Sequence, residues 1–449
     1  MAAKSQKGRH PEVSGIQTEW EFHEVVAFER AKLVSEAEEK RFGELEKAMH
    51  TILAKQDSEG ALALITRGAL ALGSSDIHYD TSEAWVFVRI RIDGSLVTII
   101  TLSKQEYKLI LERIKYKSNL KLNLTDIPQD GKYRILENDR IDVRVATLPV
   151  KYGENVVCRI LDSTASIPKL EELGLQWTAK RQVDRALQEK NGTILVTWPT
   201  GSGKTTTLYS ILQSLNTPDK KIITLEDPIE YELPWVVQSE VNDKTDYTYT
   251  TGLRAILRQD PDIVMVWEIR DLESATIAMQ AAMTGHLVLS TLHTKSASET
   301  IERLMNMGIP SYILSSWLDI IIAQRLVRRL CPYCLESHEA TAKEIDIIKW
   351  MMKDLGIAKA FAERRKWVYK LYSSKGCEQC GMTGYHGRIG IYEVLALNDA
   401  IRTLIRDAAS PREIMEAARS NDLVLMREDG IMKAMRGKTS LEELFRVVT

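Results

Sequence analysis

The segment ILVTWPTGSGKTTTLYSIL constrains this chain more than any other. It runs from a β-branched apolar stretch into Thr200-Gly201-Ser202-Gly203-Lys204-Thr205 and then into residues with helical apolar spacing. Glycines let backbone N–H groups approach phosphate oxygens closely, and the start of a helix adds a favourable dipole. In a strand, loop and helix of this order, Lys204 reaches the β and γ phosphates of a nucleotide and Thr205 holds Mg²⁺. The reading set against it is a Gly/Ser turn that caps a helix by accident. The strict pattern asks for glycine where this chain has Trp198.

Downstream, three more short apolar runs alternate with helical stretches: KIITLED, DIVMVWE and HLVLSTLH. Together with GTILVTW they predict βαβ units and a parallel sheet. Ligands of open α/β sheets gather at the carboxyl ends of the strands, so functional residues are expected there. One run ends in Leu225-Glu226-Asp227-Pro228-Ile229-Glu230-Tyr231, the next in Glu268-Ile269-Arg270-Asp271. Carboxylates beside a phosphate loop orient Mg²⁺ and polarise an attacking water. His286 and His293 flank the last strand. Histidines in such places also serve as ordinary core or surface residues, and the residues alone leave both readings open.

The chain before this core divides into an extension and a smaller module. Residues 1–57 carry an amphipathic helical pattern around Phe22 to Met49, expected to contact a partner. Residues 58–162 read as a small α/β domain, with strands in WVFVRIRIDGSLVTII and IDVRVATLPV and a hairpin at Asp93-Gly94. Residues 163–449 form the second domain, with a helical tail over about 398–449. The opening MAAKSQKGRHPEVS has no apolar signal core, and the longest apolar run, Ile313 to Val327, is broken by Asp319, Gln324 and Arg325. The sequence therefore predicts a cytosolic or peripheral protein. Sixty basic against 62 acidic residues give a formal charge of -2. That balance offers no global field for a polyanion, and nucleic acid is not expected as a partner.

Cys331-x-x-Cys334 and Cys377-x-x-Cys380 lie in an insertion over about 328–390. Four thiolates close a tetrahedral Zn²⁺ site and fix the ends of a long loop. The competing reading is two unconnected reduced turns. The fifth cysteine, Cys158, sits in an apolar strand and reads as inert core.

These motifs, in this order, resemble the type II secretion and type IV pilus motor ATPases, the GspE/PilB branch, over about residues 58–449. WPTGSGKTTTLY is similar to the family's Walker A segment, TLEDPIEY to its Asp box, DPDIVMVWEIRD to its Walker B segment and TGHLVLSTLHT to its His box. SDIHYD and VRIRIDG resemble parts of its second N-terminal domain. The resemblance implies a mixed α/β chain: a small α/β N-terminal domain, then a RecA-like ATPase domain with a zinc-binding insertion and a helical C-terminus. It implies a cytoplasmic homo-hexamer at the inner face of the inner membrane, acting on a membrane platform protein and using ATP, Mg²⁺ and Zn²⁺. Glu230 is then the catalytic base, Glu268 the Walker B carboxylate, and His286 and His293 the His-box pair. Arg144 and Arg159 match phosphate-directed arginines of the N-terminal domain, and Arg254 and Arg258 those of the C-terminal one. Without the family, all four read as ordinary salt-bridge formers. Thr200, Gly201, Ser202, Gly203, Lys204, Thr205, Thr206, Glu226 and Asp227 fall at nucleotide-binding positions. The four cysteines match the insertion of assembly and secretion motors. The long N-terminal domain of many such motors is here reduced to residues 1–57. Trp198 and Trp267 stand where the family has glycine, which keeps a second reading open: a ring that binds nucleotide but turns over weakly or not at all.

Overall fold

The computed structural model describes residue 47 and residues 49–135, 141–162, 167–197, 202–242, 245–352, 370–380 and 383–448. Most of the extension of residues 1–57 lies outside the described residues, as do Trp198, Thr200 and Gly201. Two compact units are present, one built chiefly from residues up to 133 and 143–160, the other chiefly from 161–375 and 384–449.

The first unit begins with α1 (Ser58–Ala71) and continues through β1 (Asp76–Thr81), β2 (Trp85–Ile92), β3 (Ser95–Ser103), α2 (Lys104–Lys117), β4 (Gln129–Arg134), β5 (Ile141–Val150) and β6 (Gly153–Asp162). Its six strands lie in the order β3-β2-β1-β6-β5-β4. The expected hairpin is present: Ile92 pairs with Ser95, and Asp93 and Gly94 take φ of 47° and 87°. Two left-handed residues match the twist of the strands they join. Alternate residues Val86, Val88 and Ile90 of β2 are buried, as are Ile65 and Ala69 of α1 and Ile110 and Ile114 of α2. A half-buried sheet covered by two helices follows from that period-two pattern.

The second unit carries α3 (Trp177–Ala186), β7 (Gly192–Thr197), α4 (Lys204–Leu215), β8 (Ile222–Glu226), β9 (Val236–Glu240), α5 (Tyr249–Ile256), β10 (Ile263–Val266), α6 (Leu272–Met283) and β11 (Leu287–Leu292). There follow α7 (Ala297–Asn306), α8 (Ser311–Trp317), β12 (Leu318–Leu330), β13 (Leu335–Glu339), α9 (Ala342–Met351), β14 (Lys370–Ser374) and β15 (Tyr385–Ala396). Four helices close the chain: α10 (Asp399–Arg406), α11 (Pro411–Ser420), α12 (Met426–Ala434) and α13 (Leu441–Val448). The seven-stranded sheet runs β15-β12-β7-β11-β10-β8-β9. Its neighbours are parallel from β12 to β9, and β15 is antiparallel to β12.

Every residue of β7, β8, β10 and β11 is buried. Both faces of the sheet are covered. Ile194, Val196, Ile263 and Met265 share one apolar cluster with residues of α3 and α4, whereas Leu195, Val264 and Val266 join residues of α5, α6 and α7 in the other. Continuous Val/Ile/Leu runs, rather than alternation, are what such two-sided burial requires. The apolar run from Ile313 to Val327 divides between the end of α8 and the first ten residues of the 13-residue β12. Asp319, Gln324 and Arg325 interrupt that run, and as a strand beside β7, β12 places Gln324 among the buried residues.

Gly192 fixes where β7 starts. Its φ is +127°, and a Cβ built there would lie 1.6 Å from Asp319 Oδ2. Asp319 in turn accepts from Arg402 Nη2 at 2.9 Å, tying β12 to α10. Gly192→Ala is therefore expected to lower unfolding stability by about 2–4 kcal/mol, through a strained backbone and a displaced carboxylate. Urea denaturation followed by circular dichroism checks this; an unchanged midpoint would contradict it.

Candidate functional site

The phosphate loop emerges from the carboxyl end of β7 and enters α4 through Gly203, whose φ of 84° caps the helix in the left-handed region. Gln324 of β12, 1% exposed, holds the loop in place. Its Nε2 donates to Ser202 O at 2.8 Å, and its Oε1 accepts from Thr207 Oγ1 at 2.6 Å. A side chain at Gly203 would press on Gln324 Nε2 at 3.1 Å and on Leu326 Cδ1 at 3.2 Å. One amide thus grips both the loop and the first turns of the helix. Beside it, Thr197 Oγ1 and Ser202 Oγ are buried with no hydrogen-bond partner among the described residues. Buried polar atoms rarely stay unpaired, and here they border a loop whose glycines suit phosphate oxygens.

Lys204 opens α4, and its Nζ lies 3.2 Å from His293 Nδ1, just past the end of β11. Burial pulls the Lys204 ammonium down to about 8, with the charge of Glu268 working in the opposite direction. His293 Nε2 is 3.2 Å from Glu268 Oε1, and Glu268 Oε2 accepts from Arg270 Nε at 3.1 Å. Arg270 Nη2 donates to Asp227 Oδ2 at 3.2 Å, and its guanidinium lies over the Tyr249 ring at 5.0 Å. The ends of β7, β8, β10 and β11 therefore meet through an unbroken chain of polar contacts from Lys204 to Asp227. A polyphosphate there would meet a lysine at a helix start, and a divalent cation would meet carboxylates. Those are the parts that phosphoryl transfer uses.

His286, Arg254 and Arg258 are not members of that chain of contacts. His286 sits at the opposite end of β11 from His293, a strand length of about 23 Å away at about 3.3 Å per residue. Its Nδ1 is 2.9 Å from Ala281 O and 3.1 Å from Thr284 Oγ1. Arg254 on α5 donates to Glu273 Oε1 at 2.8 Å, and Arg258 Nη1 donates to Arg254 O at 2.9 Å. Arg144 lies on β5 of the first unit. Arg159 on β6 of the same unit donates to Asp76 Oδ1 at 2.9 Å. Burial would raise Asp76, but the hydrogen bonds from Arg159 and Ser75 outweigh it and hold the carboxyl below its usual range. Thr205 and Thr206 occupy the first turn of α4. Glu226 is wholly buried and accepts from Tyr209 and Thr224, while Glu230 N donates to Tyr209 Oη at 3.2 Å. Trp267 is partly buried and packs against both apolar clusters of the sheet.

No local motif marks Gln324 or Tyr209 as a functional residue. Gln324 is a polar residue inside an apolar run, a signal that pointed only away from a membrane span. Tyr209 stands among the buried positions of α4, beside Leu208, Ile211 and Leu212.

The cysteine pairs are joined by a two-stranded ladder. Cys334 leads into β13 and β14 leads toward Cys377, with Leu335 paired to Ser374. Cys331 N donates to Gly384 O at 2.9 Å. The four Sγ atoms all lie within 4.8 Å of one another, with Cys377 and Cys380 Sγ 3.7 Å apart. Thiolates about 2.3 Å from a tetrahedral zinc stand about 3.8 Å apart, so the cluster fits that ion. Cys158 is buried, and burial pushes its thiol up to about 12, as suits an unreactive core residue.

Residues 55–446 match the family model described as Type II/IV secretion system protein. The chain belongs to this family. It is 43% identical over 380 residues to the type II secretion system ATPase E of Vibrio cholerae, covering 84% of this chain and 73% of that one. It is also 43% identical over 381 residues to the type IV pilus assembly ATPase PilB of Pseudomonas aeruginosa, covering 84% and 65%. A crystal structure of the pilus retraction motor PilT with bound ADP matches with a TM-score of 0.56 at 27% identity, over 85% of this chain and 95% of that one. The Legionella pneumophila ATPase DotB shares the fold at a TM-score of 0.61 and 22% identity, over 86% and 94%. The first two are named as ATPases of secretion and of pilus assembly, and the RecA-like fold class that the resemblance implies is the one present. Among the described residues no helix is long and apolar enough to cross a membrane.

The purified chain is expected to carry about one zinc ion, and the double variant Cys334→Ala/Cys377→Ala to carry none. Elemental analysis after exhaustive dialysis checks this; equal metal content in the two proteins would contradict it.

Proposed function

We propose that this chain hydrolyses ATP and, as a homo-hexamer on the cytoplasmic face of the inner membrane, drives type IV pilus assembly or type II-like secretion. The observation that carries the reading is the continuous contact from Lys204 through His293, Glu268 and Arg270 to Asp227 at the carboxyl edge of the parallel sheet. Its members are a lysine for phosphate, carboxylates for the cation and water, and histidine and arginine links that hold them in register. A scaffold with no catalytic duty has no physical need for that set.

In this reading the phosphate loop, from Thr200 to Thr206, binds the nucleotide, with Lys204 on the β and γ phosphates. Mg²⁺, held by Thr205 and the carboxylate side, supplies charge neutralisation on the transferring phosphoryl group. Glu230 takes the proton of the attacking water, and Glu268 fixes His293 and Arg270 around the cation site. Arg254 and Arg258, with Arg144 and Arg159, neutralise phosphate charge, a task suited to planar guanidinium groups. Residues 58–162 act as the N-terminal domain and 163–449 as the ATPase domain, and hydrolysis rotates one against the other to move a membrane platform protein. Zinc holds the insertion of residues 328–390 rigid. Recruitment runs through the helical extension of residues 1–57.

Trp267 stands at a position where bulk could hinder closure. Its packing against the sheet's apolar clusters supports a tolerated substitution rather than a block. Steady-state turnover of Mg·ATP by the metal-replete oligomer tests the proposal. Wild-type protein is expected to turn over, and Glu268→Gln and Glu230→Gln each to fall by at least about 100-fold, the low end for loss of a positioned acid or base. An intact oligomer whose rate matches the Glu268→Gln control would shift the assignment to a nucleotide-binding ring without turnover.

A further inference from the structure

Glu226 stands inside the Asp-box segment, yet both of its carboxylate oxygens are consumed by the fold. Oε2 accepts from the Tyr209 hydroxyl, and Oε1 accepts from Thr224 Oγ1 at 2.5 Å and from Gln238 Nε2 at 3.0 Å. Glu226 and Tyr209 are each 0% exposed. Burial raises the Glu226 carboxyl, and the three hydrogen bonds offset only part of that rise.

The Tyr209 hydroxyl is the centre of this arrangement. A phenol has one proton to give and two lone pairs to accept with. The proton goes to Glu226. The lone pairs accept from Glu230 N at 3.2 Å and Tyr231 N at 3.3 Å. The ring also meets Tyr231 edge-on, with centroids 5.1 Å apart at 73°. From the other side, Gln238 of β9 donates from the same Nε2 to Tyr231 O at 2.9 Å and accepts from Leu233 N at 2.8 Å. Asn216, at the end of α4, donates to Pro234 O at 2.7 Å. Glu230, Tyr231 and Pro234 of the segment after β8 are thus bonded to Tyr209 and Asn216, within and just past the helix that begins at the phosphate loop.

We propose that Tyr209, oriented by the buried Glu226, is a positioning residue that fixes the Glu230 backbone to the phosphate-loop helix. Glu226 thereby moves from the nucleotide-binding role expected of it to a supporting one. The inference rests on Glu230 being the base only for its catalytic consequence; the positioning itself stands on the hydrogen bonds. A base must sit within hydrogen-bond reach of the water it activates, and a misplacement of about 1 Å costs on the order of 100-fold. Because Tyr209 rides on the helix whose first residues meet the phosphates, the base keeps its place relative to the γ-phosphate when that helix shifts.

Tyr209→Phe removes one oxygen and keeps the ring, its burial and its contact with Tyr231. Two readouts on the full-length oligomer test the proposal. In hydrogen exchange by mass spectrometry, the peptide covering residues 228–233 is expected to exchange at least about 10-fold faster in Tyr209→Phe, with the α4 and β8 peptides unchanged. Unaltered exchange of that peptide overturns the proposal, whether or not the protein hydrolyses ATP. In turnover, kcat is expected to fall about 10- to 100-fold with the Kd for a fluorescent ATP analogue within about twofold of wild type, and Tyr209→Phe to have no further effect in a Glu230→Gln background. A loss carried by Kd, or one that multiplies with Glu230→Gln, overturns it. If Glu230→Gln alone keeps the wild-type rate, the base is assigned wrongly and the exchange result still decides the positioning.

Discussion

Burial of the central strands on both faces is the constraint from which the rest of this structure follows. Every residue of β7, β8, β10 and β11 is buried, and polar side chains along them, such as Thr224 and Glu226 of β8, are tied up in internal hydrogen bonds, which leaves no place there for solvent-facing polar chemistry. It is displaced to the ends. Because the four strands are parallel, their carboxyl ends share one edge, and Lys204, Asp227, Glu268 and His293 come together there from four separate parts of the chain. The same geometry parts the two histidines of one strand, leaving His286 at the far edge.

What holds that edge in shape is a small number of buried polar side chains. Gln324 joins the phosphate loop to α4 from β12, and Tyr209 joins α4 to the loop after β8. Both are enclosed, so each hydrogen bond they make resists exchange with water, and loss of either would leave partners buried and unpaired. The phosphate loop and the carboxylate loop are therefore two attachments to one helix. The zinc-type cluster works by a different principle: four thiol sulfurs gather beside a two-stranded ladder whose β13 is exposed throughout.

Local chemistry made much of this legible in advance. TGSGKT between an apolar strand and a helix announces a phosphate loop because glycine, lysine and threonine act through neighbouring atoms. The four buried strands show in composition alone, and two C-x-x-C pairs propose their own ion. The supports were hidden for the opposite reason. Gln324 serves a loop more than a hundred residues earlier, and no local pattern tells a strand polar residue that faces a helix from one that faces solvent. The oxygens of Glu226 looked available for a nucleotide until the fold showed them spent on Tyr209, Thr224 and Gln238. In the same way the residues of β12 carry no alternation that would mark a strand, because the strand is buried between β7 and β15.

The central claim is that nucleotide phosphates bind at the carboxyl edge of the sheet, over Lys204. Hydrogen exchange with and without saturating Mg·ADP measures this most directly. The account predicts the greatest protection in the peptides covering residues 202–207, 226–232, 266–271 and 291–294, with no protection at the Ala281 to His286 turn. Protection confined to that turn, or none at the four strand ends, would contradict it.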